Sequence, residues 1–112
     1  MDERTNLSKP VKLTGEVQDD AVQSAVSALL PAFLANRLGE LETLQGLAEE
    51  QDWERLSEHA HRLSGVGLLY GFAEISRFGI ELSQLTERHD RAATLARIQT
   101  YALWLRDTIA PG

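Results

Sequence analysis

The segment DWERLSEHAHRLSGVGLLYG, residues 52–71, decides the fold because its apolar positions recur at helical spacing. These positions are Trp53, Leu56, Ala60, Leu63, Gly67 and Tyr70. Steps of three and four place them on one face of an α-helix. Asp52 stands before the first of them as a candidate N-cap, and Gly71 follows the last as a break. The sequence therefore predicts an amphipathic helix between these two residues.

The same spacing extends to both sides of this segment. It runs through Val22, Val26, Leu29, Phe33, Leu34, Leu38, Leu41, Leu44 and Leu47 before it, and through Phe72, Ile75, Phe78, Leu82, Leu85, Leu95, Ile98, Ala102, Leu105 and Ile109 after it. Pro31 favours the end of one helix near Leu30 and the start of another, with a single kinked helix as the alternative. No stretch has the alternation of a strand. The pattern predicts an all-α protein, an antiparallel up-down four-helix bundle with a short additional N-terminal helix.

Composition agrees with one globular domain. The chain has 112 residues, 43% of them hydrophobic, and no cysteine, which excludes a disulfide scaffold, a thiolate zinc site and a cysteine nucleophile. Residues 1–15 have no apolar period and are expected to form a flexible N-terminal arm, with a single domain over residues 16–112. The start at Met1 suggests a free-standing protein, and a domain cut from a hybrid kinase is the alternative.

Charge and hydropathy limit the classes of partner. The net charge of −6 argues against nucleic acid and against an anionic membrane surface. The residues after Met1 lack the apolar run of a secretory signal, and no apolar stretch is long enough to span a bilayer. A cytoplasmic location is therefore expected.

His61 is the most informative polar residue of the segment. At about 100° per residue, it lies about 130° from the mean direction of the apolar face, whereas His59 lies only about 70° away. His61 is therefore expected to face solvent, and His59 to lie at the core boundary. Gly65, one turn after His61, costs a helix about 1 kcal/mol relative to alanine, and clearance for an approaching partner would explain it. An exposed histidine beside such a gap can act as a nucleophile that carries a group covalently.

The residues around His61 resemble the histidine phosphotransfer (HPt) domain family of bacterial two-component phosphorelays. In that family, fixed offsets after the histidine hold Leu, Lys, Gly, Gly, an aliphatic residue and Leu. Here those offsets hold Leu63, Ser64, Gly65, Gly71, Ile75 and Leu82. The resemblance is specific from Trp53 to Leu82 and, by helix order, extends over about residues 17–109.

The resemblance implies that His61 accepts a phosphoryl group from the aspartate of one receiver domain and passes it to the aspartate of another. The partners it implies are response-regulator receiver domains and a hybrid histidine kinase. The chain itself would be a monomer that binds no cofactor and has no kinase activity, with Mg²⁺ on the receiver. In phosphoryl transfer the large contributions are positioning and electrostatics, which the receiver can supply.

Two positions depart from the family pattern. Ser64 replaces the usual lysine and so removes a cation, and Ser83 stands where Glu or Gln tends to hydrogen-bond the imidazole. Arg62 is a candidate source of the missing charge, because guanidinium suits phosphate geometry. Arg62, Ser64, Gly65 and Ser83 are therefore the expected supporting residues. The candidates for a docking surface are Ser57, Leu68 and Phe72.

Three other functions fit the sequence less well. A metal site built on His59 and His61, with Glu58, His89 and Asp90 as further ligands, is disfavoured because residues two apart on a helix point in nearly opposite directions. His89 fits a solvated turn or a helix C-terminus. A helical adaptor that binds a receiver or kinase without efficient transfer is the main alternative. An enzyme with its own substrate pocket is least favoured, because no paired carboxylates, catalytic triad or phosphate loop can be assembled.

Charge is unevenly distributed along the chain. Residues 16–58 contain ten acidic residues against Arg37 and Arg55, whereas residues 59–112 contain five against six arginines. No lysine follows Lys12. Any cation near a phosphoryl group on His61 must then be an arginine, and a receiver is expected to approach the nearly neutral half of the chain.

Overall fold

The computed structural model describes residues 16–110, which form four α-helices. These are α1 (Glu16–Glu49), α2 (Trp53–Leu69), α3 (Ala73–Arg88) and α4 (Arg91–Ile109). No strand occurs in this range, so the all-α prediction is confirmed for it. The predicted arm, residues 1–15, lies outside the described residues.

The prediction of a separate short N-terminal helix is wrong, because α1 is one helix of 34 residues with Pro31 inside it. Proline removes one backbone N–H and crowds the preceding turn, which costs a helix about 3 kcal/mol but does not oblige it to stop. Packing holds the chain helical after the proline, where Phe33, Leu41 and Leu44 are buried. The structure thus agrees with the alternative in that a single helix continues through Pro31.

The described chain divides into two units at Pro31. Residues 16–31 of α1 belong to the first unit, in which Leu29 is exposed. The second unit begins at Ala32 and contains the rest of α1 together with α2, α3 and α4. The hydrophobic core and every residue of the candidate site belong to this second unit.

Contacts within the second unit show that α1 and α2 run antiparallel. Along α1 and α2, Phe33 stacks on Tyr70 while Glu40 contacts His59. The Nε of Arg91, the first residue of α4, donates to the carbonyl of Glu49, the last residue of α1. Helix α4 therefore starts where α1 ends. The core between the helices includes the fully buried residues Leu44, Leu56, Leu63, Ile75, Phe78, Leu82, Tyr101 and Leu105.

Short capped connections fix the ends of α2, the helix that carries His61. The Asp52 carboxylate accepts a hydrogen bond from the Arg55 backbone N–H at 3.3 Å, which confirms the predicted N-cap. After α2 the chain turns at Gly71, whose φ of 83° lies in the region that favours glycine. The Phe72 N–H then donates to the carbonyl of Gly67 at 2.7 Å. Both ends of α2 are thus held by local hydrogen bonds.

Candidate functional site

His61 lies in the middle of α2 with its side chain exposed, as the helical wheel predicts. Its neighbours toward solvent are short: Ser57 and Gly65 are exposed on the same face, and no atom lies within 4 Å of the position a Cβ would take at Gly65. The imidazole is therefore open to a partner from outside the helix. A buried His61 would have excluded a role as a nucleophile.

The backbone beneath His61 is fixed by close packing of α2 on α3. A Cβ at Gly79 would lie 2.8 Å from the carbonyl oxygen of Ala60 and 2.9 Å from the carbonyl carbon of Leu63. A Cβ at Gly67 would lie 2.6 Å from the Ser76 hydroxyl oxygen. These two glycines allow helix backbones to approach more closely than any side chain would permit. The helix that presents His61 is thereby locked to its neighbour.

Two serines link the same interface by hydrogen bonds. The Ser64 hydroxyl donates to the backbone carbonyl of His61 at 2.7 Å, and the Ser76 hydroxyl donates to the backbone carbonyl of Ser64 at 2.8 Å. Ser64 is therefore turned toward the backbone of its own helix, a common arrangement for serine inside a helix. It supplies no charge where the family pattern has lysine.

Ser83 lies one turn beyond Gly79 on α3 and is half-buried. Its backbone carbonyl accepts a hydrogen bond from the Thr86 hydroxyl at 2.7 Å. Among the residues whose side chains the structure describes, none forms a hydrogen bond with the His61 ring or the Ser83 hydroxyl. The structure therefore places Ser83 on the helix packed beneath His61 without joining the two side chains.

Arg62 is exposed and turned toward α1. One of its terminal nitrogens lies 3.3 Å from Nδ1 of His59. His59 itself is half-buried and bonded through the same Nδ1 to the Glu40 carboxylate, at 2.6 Å. The structure thus separates the two histidines of α2, with His59 engaged in the interior and His61 open to solvent.

Exposed apolar side chains occur on both α2 and α3. Leu68, two turns after His61, is 69% exposed, and Leu69 is 70% exposed. Ile80 of α3 is also exposed. Phe72, in contrast, is half-buried and packs its ring 6.2 Å from that of Trp104. Phe72 thus contributes mainly to the edge of the core.

Sequence reasoning missed Glu40, Leu69 and Ile80. A signal for Glu40 existed, since an imidazole at the core boundary needs a polar partner and Arg37 and Glu40 are spaced as a helical ion pair. No sequence signal distinguishes Leu69 or Ile80 from core residues. Their exposure depends on how α2 and α3 are rotated in the bundle.

The metal-site alternative has no cluster of ligands in the described part of the chain. His89 caps α3 in the left-handed conformation and stacks on Trp53, with ring centroids 5.2 Å apart. Residues 16–110 contain no group of three or more His, Cys, Asp or Glu arranged to hold a metal ion. None of their helices combines the length and apolar character needed to cross a bilayer.

The sequence matches the Hpt domain family over residues 28–110. The chain belongs to this family. No curated protein and no solved structure matches it. Hpt domains are phosphotransfer carriers of two-component signalling that interact with receiver domains and kinases. The helical fold, the exposed histidine on α2 and the glycine contacts beneath it all lie within the matched residues.

Proposed function

We propose that this Hpt domain is a phosphorelay carrier whose phosphoacceptor is His61. The observation that carries the proposal is the exposure of His61 at the middle of α2, beside a glycine with open space around it and within the family match. The other histidine of α2, His59, is occupied by Glu40. We further propose that residues 16–112 act as one domain and as a monomer.

The transfer reaction needs only a neutral imidazole from this chain. Nε2 of His61 attacks the phosphorus of an aspartyl phosphate on a receiver domain. The P–N bond forms, the P–O bond to the aspartate breaks, and the carboxylate leaves with the bonding electrons. Nδ1 keeps its proton throughout. The same step in reverse delivers the phosphoryl group to the aspartate of a second receiver, and Mg²⁺ is expected on the receivers.

The supporting residues of the proposed site have separate roles. Gly65 leaves room for the receiver, while the bond from Ser64 to the carbonyl of His61 steadies the helix at that point. Arg62 is the candidate cation for the phosphoryl group. Ser83 is close enough in the fold to be a candidate polar neighbour from α3, one turn from Gly79.

Receivers are proposed to dock on the surface around His61. Ser57 and Leu68 lie on its face of α2, and Leu69 and Ile80 add exposed apolar area. Apolar side chains at the centre of an interface contribute most to binding when they become fully desolvated. Phe72 is half-buried and would add only its exposed edge.

Phosphoryl transfer from labelled receiver domains tests the proposal directly. The wild-type chain should acquire label that is stable in base and labile in acid, as phosphohistidine is. His61→Gln should acquire none. His89→Gln alters an exposed histidine between α3 and α4, and it should be labelled as the wild type is. Labelling of His61→Gln would refute the assignment of His61. Receiver binding with no label on the wild-type chain would favour the adaptor function instead.

A further inference from the structure

A half-buried polar network lies between α1 and α2, around the helix from His61, and plays no part in the transfer step described above. Glu40 of α1 places one carboxylate oxygen 2.6 Å from Nδ1 of His59 and the other 3.1 Å from Nε of Arg37. The Arg37 guanidinium lies over the Phe33 ring, 5.0 Å from its centroid. Both members of the Glu40–His59 pair are less than one-fifth exposed. Among the described residues, neither Arg37 Nε nor the Glu40 oxygen nearest to it has a hydrogen-bond partner, so Arg37 stabilises the pair by charge alone.

Arg62 contacts this network without forming a strong bond to it. Its NH2 nitrogen is 3.3 Å from His59 Nδ1, but that nitrogen donates its proton to Glu40 at the shorter distance and cannot also accept one. Among residues 24, 25 and 27–110, whose side chains the structure describes, no carboxylate oxygen lies within 4.0 Å of the Arg62 guanidinium. Its usual helical partner, Glu58 one turn earlier, is not engaged. Arg62 thus rests against His59 with its donors uncommitted.

Few other cations are available to a phosphoryl group on His61. Helix α2 contains only one further basic residue, Arg55, which lies 3.8 Å from the Asp52 carboxylate. Ser64 is turned to the backbone. On α3, Arg77 is bonded to Glu74 at 2.6 Å. A phosphoryl group with two negative charges would attract the uncommitted guanidinium, which binds phosphate oxygens by two parallel hydrogen bonds.

We propose that the Glu40–His59 pair positions Arg62, and that the Arg62 guanidinium moves from His59 to the phosphoryl oxygens when His61 is phosphorylated. This inference rests on the proposed function of His61. Arg62 follows His61 by about 100° around the helix, a step that its long side chain can bridge while the backbone stays in place. In the resting chain, the charge of the Glu40 carboxylate, which is bonded to the same nitrogen of His59, holds the guanidinium there and away from Glu58. His59 is therefore a positioning residue and not a catalytic one.

Nitrogen NMR of the side chains tests the movement without a partner protein. Phosphoramidate can serve as the donor: Nε2 of His61 attacks phosphorus, the P–N bond of the donor breaks, and ammonia leaves. The Nε resonance of Arg62 should shift on phosphorylation, and the Nδ1 resonance of His59 should change as Arg62 leaves it. The Nε resonance of Arg55, on the same helix, should not move.

Variants test whether His59 positions Arg62 or merely supports the fold. Arg62→Gln should shorten the lifetime of the phosphohistidine about tenfold, the equivalent of one charge-assisted hydrogen bond, while Arg55→Gln leaves it unchanged. His59→Phe should also shorten it, because Arg62 then pairs with Glu58. Adding Glu58→Gln to His59→Phe should restore most of the lifetime. A purely structural role of His59 would not be rescued by a change at Glu58.

The outcomes separate this inference from the proposed function. If phosphoramidate leaves His61 unmodified, the proposed function fails and the inference fails with it. If His61 is phosphorylated but the Arg62 resonance stays where it was, only the inference is overturned. The wild-type spectrum alone decides between these results, so the test does not depend on the folding of any variant.

Discussion

A substitution at Gly65 should change stability and the proposed docking in opposite directions. Nothing lies within 4 Å of the position of its missing Cβ, so alanine fits there without a clash. Because glycine inside a helix costs about 1 kcal/mol relative to alanine, Gly65→Ala should raise the free energy of unfolding by about that amount. A methyl group beside His61 should at the same time slow transfer from a receiver.

A matched control exists for this variant. Gly39 of α1 is also exposed and also has open space at its Cβ position. Gly39→Ala should therefore stabilise the chain similarly but leave the transfer rate unchanged. Urea denaturation and receiver labelling measure the two effects. Equal transfer rates in Gly65→Ala and the wild type would contradict the role of Gly65 as clearance.

Two residues that are not glycine adopt backbone conformations that favour glycine. Gln51 has a φ of 59° between α1 and α2, and His89 has a φ of 53° between α3 and α4. Gln51→Gly should raise the free energy of unfolding by up to about 1 kcal/mol, because it removes strain at an exposed position. His89→Gly should raise the free energy of unfolding by less, since it also removes the ring that stacks on Trp53. Thermal unfolding of both variants checks the order, and a larger gain at His89 would contradict it.

At the scale of elements, the contact between α2 and α3 decides how rigidly His61 is presented. Gly79→Ala should lower the free energy of unfolding by about 1–3 kcal/mol, because the new methyl group would meet the backbone of Ala60 and Leu63. Backbone atoms cannot rotate away as a side chain end can. Gly46→Ala, on α1 with open space at its Cβ position, should not destabilise the chain. Chemical denaturation of both variants measures the difference.

The elements also show which features of the fold can be predicted from sequence. Apolar spacing predicts α2, α3 and α4 because each has one buried face bounded by a cap or a glycine turn, such as Asp52 or Gly71. Pro31 misled the prediction of α1. Local rules treat proline as a boundary, but the lost hydrogen bond lowers the stability of a helix without obliging it to end.

Only part of the candidate site could be predicted from the sequence. The exposure of His61 follows from the helical wheel alone, since it depends on one helix and its own apolar face. The pairing of His59 with Glu40 does not, because it requires the rotation and register of α1 against α2. Phe72 illustrates the same limit, as its half-buried position is set by Trp104 on a helix far along the chain.

At the scale of the whole molecule, one buried phenol should determine how the fold responds to alkaline pH. The Tyr101 ring is stacked on Phe78 in the centre of the core, with centroids 3.9 Å apart, and within the described residues its hydroxyl has no hydrogen-bond partner. Burial raises the pKa of Tyr101 well above its ordinary value, the Glu40 carboxylate adds to the rise, and Arg37 opposes it. The folded protein therefore keeps Tyr101 protonated where the unfolded chain would lose the proton.

The sign of the pH effect follows from this difference between the two states. Below the ordinary tyrosine pKa of about 10 both states hold the proton and stability is complete. Above it the unfolded chain binds fewer protons than the folded chain, so the free energy of unfolding falls as pH rises. Tyr101→Phe should reduce that fall, and near neutral pH it should stabilise the chain by about 1 kcal/mol, because an unpaired buried hydroxyl is removed. Urea titrations at pH 7 and above pH 10 measure both effects, and an unchanged slope in Tyr101→Phe would show that other groups control alkaline unfolding.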